Sequence, residues 1–188
     1  MRLFVAFWLS EKTKEALVDA QKVLVKSFPE ARVVNPDQLH LTLKFIGETP
    51  AEKAEDIKGF LRQQARLFPT FKLVVRGAGV FPDKRAARLL WVGAEGQGWP
   101  KKINEVLEEG LEKFGIRQEC KFREHITLVR FRVYPAWREL EKLISEWQGI
   151  IFGETEVREL TLVESQLKPE GPIYRTVESF FLGEPVAG

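Results

Sequence analysis

A chain of 188 residues, 44% hydrophobic and 30% charged, has the composition of a folded globular protein and is long enough to bury a real core. That balance excludes disordered and collagen-like classes, and the single cysteine, Cys120, excludes an intrachain disulfide and fits a reducing compartment. A net charge of +2 is too small to announce nucleic-acid binding, although a protein that grips one phosphate needs only a local basic cleft.

The apolar opening, Met1 to Leu9, is too short for a membrane span and is followed at once by Glu11 and Lys12. It reads as a core strand over Leu3–Leu9, and cytoplasmic residence is expected. Ser10-Glu11-Lys12-Thr13 offers a helix N-cap, after which Ala16, Leu17, Ala20, Val23 and Leu24 recur at helical spacing until Pro29. A strand over Leu39–Ile46 leads to Gly47, and Thr49-Pro50-Ala51-Glu52 starts a second helix running to about Leu67. Strands over Phe71–Val80 and Arg88–Val92 flank the turn signal Phe81-Pro82-Asp83-Lys84. Gly93, Gly96 and Gly98 mark a connection rather than a dinucleotide fingerprint, and a helix follows from about Pro100 to Phe114. The second half repeats the rhythm: a strand over Phe122–Val133, a helix over Ala136–Trp147, and strands over Phe152–Val163 and Ile173–Leu182. No long linker interrupts the chain. The expected fold is mixed α/β (α+β), a single bilobal unit over residues 1–188, with two similar lobes side by side and a cleft between them.

Both histidines of the chain sit in the same local pattern, Leu39-His40-Leu41-Thr42-Leu43 and Glu124-His125-Ile126-Thr127-Leu128, 85 positions apart (125 − 40). On a strand, residues two apart share a face. Each motif therefore presents an imidazole beside a hydroxyl, backed by apolar side chains. One motif per lobe would set two such pairs across a shared cleft.

That set suits cleavage of a phosphate ester. One imidazole removes a proton from the attacking oxygen while the other protonates the leaving oxygen, and both states are accessible because imidazole titrates near pH ~6.5. The hydroxyls of Thr42 and Thr127 can donate to the non-bridging phosphate oxygens. No metal is required, and neither motif carries a third ligand at zinc spacing.

With its paired His-x-Thr-Leu motifs the chain resembles the 2H phosphoesterase superfamily, and within it the RNA 2′,3′-cyclic phosphodiesterases also described as 2′-5′ RNA ligases. The likeness extends to Arg2-Leu3-Phe4-Val5-Ala6, to Leu39-His40-Leu41-Thr42-Leu43-Lys44-Phe45-Ile46-Gly47, and to the late segment from Val163 to Tyr174; Glu124 stands where relatives commonly have proline. The resemblance implies His40 and His125 as the acid–base pair, no metal and no cofactor, and RNA ends bearing a 2′,3′-cyclic phosphate as substrate. It implies opening to a 2′-phosphate, with 2′-5′ ligation when an RNA 5′-hydroxyl attacks. No membrane and no obligate protein partner is expected, and the chain reads as a monomer. Two alternatives remain: a non-catalytic RNA-end or nucleotide-binding module, and a 2H enzyme for a small cyclic nucleotide or a 2′-5′ oligonucleotide.

Further substrate-binding candidates are Lys44, Arg130 and Tyr174. Lys44 shares the strand parity of His40 and Thr42, so it is placed to reach a phosphate. Arg130 has the opposite parity to His125 and Thr127 and serves the site only if its strand bulges. Tyr174 is a candidate to stack on a terminal base. Cys120 is expected to be a small apolar filler.

Overall fold

Ser10, two residues beyond the first strand, β1 (Arg2–Trp8), caps the first helix, α1 (Glu11–Ser27), its hydroxyl accepting the Thr13 N–H at 3.3 Å. The Thr13 hydroxyl in turn donates to the Glu154 carbonyl at 2.9 Å, so α1 lies directly on the distant strand that carries Glu154. The remaining elements, in the computed structural model, follow in chain order. They are β2 (Ala31–Val33), a short 3-10 turn (Pro36–Gln38), β3 (His40–Glu48), α2 (Ala51–Ala65), β4 (Phe71–Phe81) and β5 (Leu89–Glu95). After them come α3 (Trp99–Glu112), β6 (His125–Phe131), α4 (Trp137–Trp147), β7 (Ile151–Val157), β8 (Glu159–Lys168) and β9 (Gly171–Phe181). The structure describes residues 1–83, 85–119 and 121–183. The expectation for Cys120, and the Lys84 position of the predicted turn, lie outside them.

All strand pairs are antiparallel, in two sheets of order β3-β1-β8-β9 and β2-β6-β5-β4-β7. Helices α2 and α3 contact the first sheet, and α1 and α4 the second. Together they bury an apolar core in which Leu17, Leu41, Ile57, Leu73, Leu107, Ile126 and Leu140 are fully inaccessible. The mixed α/β architecture of two helix-flanked antiparallel sheets agrees with the expectation.

The sheets are not consecutive halves of the chain, however. Strands from both ends (β1, β3, β8, β9) make one, the middle of the chain makes the other, and α1 leaves a strand of the first sheet to pack on the second. The predicted strand over Phe152–Val163 is two strands, β7 and β8, which part at Arg158 and join different sheets. Its unbroken β-favouring composition hides the exchange. The strand expected over Phe122–Val133 is shorter at both ends, and β2 has no counterpart among the predicted elements, because three residues carry too little pattern to read.

The two motif strands occupy equivalent places. β3 pairs with β1 in one sheet, β6 pairs with β5 in the other, and β3 and β6 contact each other across the gap. At the tip of the β8–β9 hairpin, the Glu170 and Pro172 carbonyls accept from Arg32 and Gln38, which clasps the first sheet to the segment entering β3. Among the described residues no helix is long and apolar enough to cross a membrane.

Candidate active site

The cleft face of each motif strand is selected by a β-bulge. Along β3 the partners on β1 run Trp8↔His40, Ala6↔Thr42, then Val5↔Lys44 and Phe4↔Phe45, so Leu43 is the extra residue. Along β6 the partners on β5 run Gly93↔His125, Trp91↔Thr127, then Leu90↔Val129 and Leu89↔Arg130, so Leu128 is the extra residue. Both strands consequently show the same order of exposure, with positions one, three and six facing out and four and five buried. The outward sets are His40, Thr42 and Phe45 on one strand, and His125, Thr127 and Arg130 on the other.

This register corrects one expectation. Lys44 has the right parity for a regular strand, but the bulge turns it inward, and only 1% of it is exposed. Its Nζ donates to Glu108 Oε2 on α3 and to the Arg117 carbonyl, each at 2.8 Å. Glu108 Oε2 also accepts the Glu119 N–H at 2.8 Å, and Asn104 donates to the Leu43 carbonyl at 2.8 Å. Lys44 is therefore a buried structural cation that fixes the bulge and the 117–119 segment, not a group facing the cleft. The same device admits Arg130, whose access depended on a bulge, and brings out Phe45, 56% exposed, which strict alternation points inward.

The imidazoles are oriented alike. Nδ1–H of His40 donates to the Gln38 carbonyl at 2.6 Å, and Nδ1–H of His125 to the Arg123 carbonyl at 2.8 Å. Since each carbonyl accepts, the proton of the neutral ring sits on Nδ1 and the reactive lone pair on Nε2. The Thr42 hydroxyl lies 2.8 Å from His40 Nε2 and donates to it in that tautomer. Aromatic rings box both: Phe4, Tyr174 and Trp8 have centroids 5.1, 5.4 and 5.6 Å from His40, and Phe81 lies 4.9 Å from His125. Beneath His40, the buried residues Phe4, Ala6 and Val163 form a small apolar floor separate from the main core.

Burial pushes the His40 pKa from 6.5 down to about 4; the Gln38 carbonyl opposes this, and the charges of His125 and Arg130 add to it. Burial also lowers His125, against the Arg123 carbonyl and with the help of the Arg123 and Arg130 charges. Tyr174 is raised by burial and eased back by Arg130 and Arg2, so its hydroxyl keeps its proton at neutral pH. Arg130 thus acts on both histidines and on Tyr174 at once, and His125 acts on His40. These groups share one electrostatic environment. Among the described residues no group of three or more His, Cys, Asp or Glu side chains is gathered at metal-binding distance.

Two helix-flanked antiparallel sheets thus each contribute one His-x-Thr strand, and the two strands are in contact. The family model described as LigT like Phosphoesterase matches residues 7–91 and 95–174. The chain belongs to this LigT-like phosphoesterase family, within the 2H superfamily. It is 33% identical over 182 residues to the RNA 2′,3′-cyclic phosphodiesterase of Methanothermobacter thermautotrophicus, covering 97% of this chain and 99% of that protein. It is 37% identical over 190 residues to the protein of the same name from Thermus thermophilus, covering 97% and 90%. The crystal structure of TT0787 of Thermus thermophilus superposes with a TM-score of 0.82 at 36% identity, covering 98% of this chain and 99% of that one. Escherichia coli LigT complexed with 3′-AMP superposes with a TM-score of 0.75 at 28% identity, covering 96% and 97%.

Proposed function

We propose that the protein opens 2′,3′-cyclic phosphates at RNA ends, leaving a 2′-phosphate and a free 3′-hydroxyl. The observation that carries this reading is the pair of Nδ1-anchored imidazoles, one from each sheet, that share a cleft with the guanidinium of Arg130. One Nε2 accepts a proton from water as the water oxygen attacks phosphorus. The P–O3′ bond breaks, and the other imidazole, in its protonated form, delivers its proton to O3′. The two exchange roles in the reverse direction, and an RNA 5′-hydroxyl in place of water gives a 2′-5′ linkage without ATP.

In the free protein both imidazoles are held toward the neutral form, so a protonated partner is scarce near pH 7. A bound phosphodiester anion reverses that bias, because a negative charge beside an imidazole favours imidazolium. Substrate thus charges its own acid. Arg130, with the hydroxyls of Thr42 and Thr127, would hold the non-bridging oxygens and the charge that develops on them. Tyr174 and Phe45, on the His40 side, provide aromatic surface for the terminal nucleoside. The names of the relatives and the 3′-AMP complex of LigT support a nucleotide substrate.

The test is incubation of EDTA-treated protein with a short RNA ending in a 2′,3′-cyclic phosphate, the product being read by phosphorus NMR. A 2′-phosphate is expected from wild type. His40→Ala and His125→Ala are each expected to lose at least about 10²-fold in kcat while keeping the native circular dichroism spectrum. Near-normal turnover by either variant, or activity that needs added metal, overturns the mechanism.

A further inference from the structure

The catalytic face of the second sheet does not stop at His125. Gly93 lies opposite His125, and Arg76 lies opposite Gly93, so the face runs from β6 across β5 to β4. Along this run is an open trough of about 690 Å³, to which Trp91, Gly93, Arg76, Arg123 and Lys72 contribute and none of His40, Thr42, His125 or Thr127 does. It is a separate depression, set beside the cleft.

Its floor is kept bare. A Cβ at Gly93 would sit 2.7 Å from the Arg76 carbonyl oxygen; beside the trough the Trp91 ring, only 6% exposed, occupies the space that a Cβ at Gly79 would need. The Arg123 guanidinium covers that ring at 4.6 Å and has no ion pair among the described residues. The other two cations hold only exposed carboxylates, Arg76 with Glu95 at 3.6 Å and Lys72 with Glu154 at 3.0 Å. Such exposed, solvent-screened pairs contribute little and yield readily to a phosphate. The buried Trp91 Nε1–H has no hydrogen-bond partner among the described residues.

Three cations around an open trough, none of them held by a buried carboxylate among the described residues, are what a single-stranded nucleotide requires for gripping its phosphate backbone. We propose that this trough is a second nucleotide site, which takes a phosphodiester-linked ribonucleotide beside the reacting phosphate and so favours oligonucleotide ends over cyclic mononucleotides. The inference rests on the reading of the cleft as the cyclic-phosphate site. The occupant is either the nucleotide preceding the cyclic end in the same strand or a separate strand carrying a 5′-hydroxyl.

The experiment compares wild type with the Lys72→Ala/Arg76→Ala double variant, both exposed residues outside the cleft. Three assays are run: hydrolysis of 2′,3′-cyclic AMP, hydrolysis of a triribonucleotide ending in a cyclic phosphate, and inhibition of the first by a 5′-hydroxyl trinucleotide lacking the cyclic end. The variant is expected to hydrolyse cyclic AMP within about twofold of wild type, because cations in the trough position a longer strand and do not reach a mononucleotide in the cleft. A same-strand occupant predicts a KM for the trinucleotide raised about tenfold, and a salt dependence shallower by roughly 0.7 for each phosphate no longer neutralised. A separate-strand occupant predicts weakened inhibition instead. Equal losses on both substrates, or no change in any assay, overturn the trough. If wild type hydrolyses neither substrate, the reading of the cleft fails. The trough is then judged by direct titration of the trinucleotide lacking the cyclic end, where equal affinity for wild type and variant overturns it.

Discussion

Lys44 is the residue at which two readings of the chain give opposite experimental outcomes. As a phosphate ligand on the cleft face, its replacement would weaken substrate binding and leave stability alone. In the structure its ammonium is 1% exposed and 2.8 Å from a Glu108 carboxylate whose own side chain is 10% exposed. Lys44→Met leaves that carboxylate buried with the Glu119 N–H at 2.8 Å and the more distant Asn104 amide at 3.4 Å, and leaves the Arg117 carbonyl without its donor. Removing one partner of a buried pair costs about 3–5 kcal/mol, and the slight exposure of Glu108 places this case near the lower end, about 3 kcal/mol. Glu108→Leu, which strands the ammonium, is expected to cost about as much. The Lys44→Met/Glu108→Leu double variant removes both charges and leaves only the part-buried Arg117 carbonyl and Glu119 N–H without these partners, so it is expected to be more stable than either single variant. Urea unfolding followed by circular dichroism at pH 7 measures all three, with unchanged m-values as the check on two-state behaviour. The reasoning fails if Lys44→Met is within about 1 kcal/mol of wild type while its KM rises, or if the double variant is as unstable as the singles.

The pH profile should show the lowered imidazoles. Protonated and neutral histidine are both needed, and kcat/KM reports the free protein, so its alkaline limb is expected below pH 6.5, with the corresponding limb of kcat displaced upward by the bound anion. Arg130→Met removes a charge that lowers both histidines, so it should move the kcat/KM limb to higher pH while raising KM; a limb that stays in place would place Arg130 away from them. Because the folded pKa of His40 lies below its unfolded value, the protonated unfolded state gains as pH falls, and the stability is complete above about 6.5 and lost on the way to about 4. That loss is at most about 3 kcal/mol and is expected to be absent in His40→Gln, as measured by unfolding at pH 7 and pH 4.5.

Much of the candidate site is legible in the sequence because it rests on short-range chemistry. A doubled His-x-Thr on two β-favouring runs needs no tertiary information to suggest paired acid–base groups, and periodicity with start signals locates the four α-helices, though not the 3-10 turn at Pro36–Gln38. The assembly of strands into sheets is less accessible. β1, β3, β8 and β9 come together from opposite ends of the chain, and nothing local in the Phe152–Val163 run signals that it divides between sheets at Arg158. The Nδ1 anchors are equally silent, because backbone carbonyls two residues upstream, at Gln38 and Arg123, carry no side-chain signature.

The bulges decide the rest. A strict period of two puts Lys44 in the cleft and keeps Arg130 and Phe45 out of it, and one extra residue reverses all three assignments together. The positions nonetheless hold a usable signal. Leu43-Lys44-Phe45-Ile46 and Leu128-Val129-Arg130-Phe131 are aligned copies, and under strict alternation the second would send an arginine into an apolar layer. Burying an unpaired guanidinium is far costlier than one bulge, so Arg130 is better evidence for the bulge than Lys44 is against it. Applied to the first copy, the same bulge forces Lys44 inward, where it requires a buried acid on the helix behind it, and Glu108 on α3 answers that requirement. A near-symmetric frame thereby acquires unlike walls. One presents the Phe45 ring and the other the Arg130 guanidinium, the two surfaces that the proposed substrate, a nucleoside with its phosphate, would use.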